Sequence, residues 1–144
     1  MKNLNLNLEA VQETNSTETN EFIQLLLMLL QSRFIIHIFH LRVSGIGSYA
    51  SHLAFGNLYE SLGDFADKLC EQYQGQAGQL IKFPNNINFN IPLVGKEIEY
   101  IQQIFDYINI FIDRYDNLDK ITSNILQELS SIIRSALYKL TFLK

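Results

Sequence analysis

The chain has no tryptophan, one cysteine and two prolines among its 144 residues. A single cysteine, Cys70, rules out an internal disulfide and a zinc–cysteine cluster, and it fits a reducing, cytoplasmic setting. Both prolines, Pro84 and Pro92, fall in one short stretch, which leaves room for long unbroken helices on either side. Charged residues make up 18% of the chain and the formal net charge is −4, so no strong field of one sign surrounds it. The first twenty residues are polar, carry more acid than base and lack the apolar core of a signal peptide. DNA binding through that tail is therefore not expected. The longest apolar run, Phe22–Leu30, is interrupted by Gln24 and falls well short of the ~20 residues that a membrane span requires. It reads as a buried helix of a soluble, non-membrane protein.

The chain does contain four long stretches with helical periodicity. Residues 1–18 read as a flexible tail, in which the alternation of LNLNLEAV offers a short strand or an arm that docks on a neighbour. Residues 19–144 read as one all-α domain. The first helix is apolar nearly all round and ends at Gly45 and Gly47. The second runs from Ser48, as its cap, to about Tyr73, with Gly75 and Gly78 closing it. The third spans Leu93 to Tyr115 and carries Ile98, Ile101, Ile104, Phe105, Ile108 and Ile112. The fourth spans Leu118 to Leu143 and carries Ile121, Ile125, Leu129, Ile132, Ile133, Leu137 and Leu140. Short, long and short connections between four helices describe a ferritin-like four-helix bundle with one long crossover between the second and third helices.

The chemistry-bearing residues gather between positions 40 and 71. His40 and His52 stand twelve apart, and Asp67 and Glu71 follow His52 by fifteen and nineteen. At ~100° per residue, His52, Gly56, Gly63, Asp67 and Glu71 share one face of the second helix. Fifteen residues of helix cover roughly 22 Å, whereas a metal ion holds its ligands at about 2 Å. One chain thus carries two half-sites: His40 with His52 across the glycine turn, and Asp67 with Glu71. A twofold axis across this face would join the histidine end of one copy to the carboxylate end of the other, with Gly56 and Gly63 easing the approach. Mixed imidazole and carboxylate ligands suit iron, manganese or zinc better than calcium. The plain alternative is two solvated acids and two histidines at a helix end. His37, three residues before His40, reads as a packing residue or as one that supports the ligands from behind. A cluster at the third helix corner, Asp113, Asp116 and Asp119, either lines a cation path or is simply solvated.

At these residues the stretch resembles the Dps family, the mini-ferritins named as DNA-binding proteins from starved cells. The likeness is carried by His40 with Gly45 five residues on, then His52, Asp67 and Glu71 at the family's spacing, and by the run Asn57–Glu60. It covers residues 34–75, and extends weakly to DNLDKITSNILQEL in the last helix. The resemblance implies dimers assembling to a dodecamer and oxidation of Fe(II), with storage of the ferric product and protection against oxidative stress. It implies a ferroxidase centre shared across the twofold axis. His40 of one copy and Asp67 and Glu71 of the other would hold the tighter iron, and His52 the second iron or a bridging water. Zinc or manganese could take the same ligands.

Three positions depart from the family pattern. The acid expected four residues after the second histidine is Gly56, the tryptophan expected after the first histidine is Leu41, and the basic tail is missing. A second reading is therefore a non-catalytic ferritin-like metal-binding or structural oligomer with a degraded ferroxidase site. No Glu-x-x-His occurs, because Phe34, His37 and Tyr49 stand three before the histidines; this excludes the motif of larger ferritins.

Overall fold

The computed structural model describes residues 17–115 and 118–143. They form four helices: α1 (Thr17–Arg42), α2 (Ser48–Ala77), α3 (Glu97–Arg114) and α4 (Lys120–Phe142). No strand occurs among the described residues. The alternating LNLNLEAV segment lies outside them, as does Asp116.

The helices pack as a bundle in which α1 lies beside α2 and α3, and α4 beside α2 and α3. Ion pairs at both ends fix the direction of α3 against α1. Arg42 at the end of α1 meets Glu97 at the start of α3 at 3.0 Å, and Arg114 at the end of α3 meets Glu21 in the first turns of α1 at 3.1 Å. Gln72 near the end of α2 donates to Asp119, the N-cap of α4, at 3.2 Å. Adjacent helices are therefore antiparallel. Residues 78–96 return the chain along the outside of α1, where Ile81 packs on Ile23 and Leu27, and Phe89 meets Phe34 edge-on at 5.6 Å. This cover explains why α1 is apolar on nearly every side. By length and composition α1 could cross a membrane, but 67% of its most apolar window is buried in the bundle.

The core is Phe22, Leu25, Leu29, Ile36 and Phe39 from α1, Leu58, Leu62, Phe65 and Leu69 from α2, Ile101, Ile104 and Ile108 from α3, and Leu126, Leu129, Ile133 and Leu140 from α4. Not every apolar residue of these helices lies in the core. Phe34 is 51% exposed and Ile121 54%, and Ile98 faces an outer groove between α3 and α4. The α2 boundaries also differ from the expected ones. Gly47, at φ 78°, is the N-cap and Ser48 the first helical residue. Gly75 stays inside the helix, and Gly78, at φ 66°, ends it because its amide bonds the Gln74 carbonyl in a left-handed turn. Helix α3 begins only after Gly95, whose φ is 93°.

Candidate metal centre

The α1–α2 turn places His40 and His52 face to face. Gly45 and Gly47 both take positive φ, which reverses the chain in a few residues. The imidazole rings stack with centroids 3.7 Å apart and planes at 25°. Each ring also reaches the other residue's main chain. His40 Nδ1 lies 2.8 Å from the His52 carbonyl, and His52 Nδ1 lies 3.0 Å from the His40 carbonyl. A carbonyl oxygen only accepts, so each Nδ1 carries the proton and donates. The His40 carbonyl belongs to the last turn of α1, where helical partners run out, and His52 supplies the missing donor. In the neutral rings, Nε2 is then the lone-pair nitrogen of both histidines. Metal-ligating histidines are commonly oriented by such a bond from the other nitrogen to a carbonyl.

Gly56 seats this pair. A Cβ built there would lie 3.3 Å from Cε1 and Nδ1 of His40. Gly63, two turns on, does the same for Arg33, whose Nε would lie 2.6 Å from a Cβ. The expectation that the two glycines open a bare helix face to a second copy is thus corrected: α1 of the same chain covers both. His37 packs beside the pair without being buried. It is exposed and stacks on Tyr59 at 4.2 Å, and the Tyr59 ring stands edge-on to His40 at 5.4 Å.

Asp67 and Glu71 are exposed on α2, away from the histidines along the helix. Cys70 stands between them. Burial pushes its thiol pKa up, and the negative charges of Asp67 and Glu71 add to the rise. Among the described residues of one chain, no three His, Cys, Asp or Glu side chains come together to hold a metal ion. The structure therefore brings His40 to His52 but neither of them to Asp67 or Glu71. At the other end of the bundle, Asp119 accepts from the amides of Ile121 and Thr122 and from Gln72, so it serves as a helix cap. Asp113 is exposed.

In the sequence Tyr59 was legible only within the run Asn57–Glu60, and Arg33 not at all as part of this face. Their signal was the hairpin register: a turn that lays His40 over Gly56 lays Arg33, seven residues earlier, over Gly63, seven later. A cavity of about 320 Å³ opens beside that second contact, lined by Leu30, Arg33, Glu60, Gly63, Asp64 and Asp67.

No curated protein and no solved structure matches the chain. A family of unknown function matches residues 40–140, a span that contains His40, His52, Asp67 and Glu71. That span is more than half of the chain, and the protein belongs to this family, DUF5856.

Proposed function

We propose that the protein is a ferritin-like, Dps-like iron-binding and iron-storage protein that oxidises Fe(II) at centres shared by two copies of the chain. The observation that carries this reading is the reciprocal histidine clamp, which ties up Nδ1 of both stacked rings and leaves their Nε2 atoms without a protein partner among the described residues. The ring order and the single long crossover support a ferritin-like arrangement. In this reading iron is the substrate. His40 binds the tighter ion by its free nitrogen, with Asp67 and Glu71 of the second copy, and His52 takes the second ion or a bridging water. Asp67 and Glu71 of the second copy supply negative charge that favours the ferric over the ferrous state, and so favours electron loss to peroxide or oxygen. Assembly of such dimers into a dodecamer gives a shell for the ferric product.

One specific observation favours a second reading, a metal-binding oligomer without turnover. Gly56 provides no carboxylate, and the His40 ring crowds the place where one would begin, 3.3 Å from a Cβ built there. The experiment that separates the two readings is Fe(II)-dependent oxygen or peroxide consumption, with His40→Ala and Asp67→Ala as controls. Consumption that both substitutions abolish supports ferroxidase turnover. Tight binding of Fe(II) or Zn(II) without consumption supports the second reading.

A further inference from the structure

We infer that Arg33 is the charge that lets two copies of the chain dock on their α1–α2 faces, by crossing the twofold axis to Glu60 of the other copy. The inference rests on the shared metal centre only for its register. The register that sets His52 opposite Asp67 of a second copy centres the axis between Tyr59 and Glu60 on α2. The two Glu60 side chains then meet near the axis, where like charges repel unless a cation intervenes. Arg33 is that cation. It lies over Gly63 and lines one cavity with Glu60, Asp64 and Asp67, yet among the described residues it makes no ion pair within 4.0 Å. Those three carboxylates are likewise unpaired.

The hairpin register places α1 beside the axis near His37, about one helical turn from Arg33, within reach of an arginine side chain. The same face of α1 exposes Leu30 by 39% and Phe34 by 51%, so docking also removes apolar surface from water. In this arrangement Asp67 turns to the second copy's histidines, and Arg33 offsets Glu60. The occupant of the face is a second copy because the face is complementary to itself under that rotation.

The test is a charge swap read by sedimentation or light scattering of the full chain in chelator, so that metal plays no part. Wild type is expected as a dimer or a multiple of one. Arg33→Glu is expected to weaken association by about a hundred-fold, with helical circular dichroism unchanged. Arg33→Glu combined with Glu60→Arg is expected to restore it. A monomeric wild type, an Arg33→Glu variant that associates like wild type, or a folded double variant that stays dissociated would each overturn the inference. Metal titration of the same samples keeps the two readings apart. A charge-dependent dimer that binds no Fe(II) or Zn(II) sinks the metal centre and leaves the docking face standing; metal bound by an Arg33→Glu dimer of wild-type strength does the reverse.

Discussion

His40 and His52 hold each other through the main chain: each imidazole donates its Nδ1 proton to the other residue's carbonyl, at 2.8 and 3.0 Å. The pair is therefore both a fastening for the α1–α2 turn and a candidate ligand set, and the two roles use different nitrogens. They can be separated by substitution. Asparagine places an amide N–H close to where Nδ1 sits but has nothing at Nε2. His52→Asn is expected to keep stability within about 0.5 kcal/mol while lowering metal affinity at least ten-fold. His52→Ala leaves the α1 carbonyl without its donor and is expected to cost about 1–2 kcal/mol as well. Urea denaturation of metal-free protein and metal titration of the folded protein read the two effects. Equal stability of the alanine and asparagine variants would show that the carbonyl bonds contribute nothing.

The half-site arrangement makes a prediction about mixtures. His40→Ala and Asp67→Ala each damage both centres of a symmetric dimer. In a dimer of one chain of each kind, one centre carries both substitutions and the other carries neither. Co-refolding the two inactive variants in equal amounts should restore roughly a quarter of wild-type sites, since half of randomly formed dimers are mixed. Iron-dependent peroxide consumption measures the recovery. A mixture no more active than its parts would mean that no centre is shared between chains.

The helical pattern made most of the fold readable. Apolar spacing located all four helices, and the two prolines with the asparagines around them marked the crossover. The errors came from assigning an inside to every apolar residue. Ile121 lies in the exposed first turn of α4, and Ile98, in the first turn of α3, faces the outer groove against α4 rather than the core. The site was less legible. Spacing gave the metal-candidate residues and the impossibility of joining them within one helix. It did not give the clamp, because that depends on main-chain carbonyls, which no residue pattern encodes. It also misjudged the glycines, since the question of what faces a glycine is settled by the register of the neighbouring helix.

Gly56 offers a direct test of that point. Replacing a helical glycine by alanine on an open face gains up to about 1 kcal/mol from propensity alone. At position 56 the new methyl would press on a ring held at both its Nδ1 bond and its stacked face. Gly56→Ala is therefore expected to be destabilising by about 1 kcal/mol in chemical denaturation. At Gly63 the neighbour is an exposed arginine side chain that can swing away, so Gly63→Ala in the metal-free chain is expected to be stabilising. A Gly56→Ala protein more stable than wild type would mean that the His40 ring yields.

At the opposite end of the bundle, the hydroxyl of Tyr115 bonds the carboxylate of Glu21, which also pairs with Arg114. Burial, the bond to Glu21 and its negative charge together push the Tyr115 pKa up to about 12, with Arg114 opposing. The fold thus favours the neutral phenol more than the unfolded chain does, where tyrosine titrates near ~10. The stabilisation is fully present below pH ~10 and is lost as pH rises from there through about 12. Tyr115→Phe removes the bond and with it this dependence. The difference in melting temperature between wild type and Tyr115→Phe should be constant from neutral pH to pH ~10 and then shrink towards zero. Comparing the two proteins cancels the titration of Tyr100 and Tyr107, whose pKa values burial also raises. Absorbance at the tyrosinate band gives an independent reading: the variant should lose one late-titrating phenol. A difference in melting temperature that grows above pH ~10 would mean that the phenol ionises more readily in the fold than in the unfolded chain.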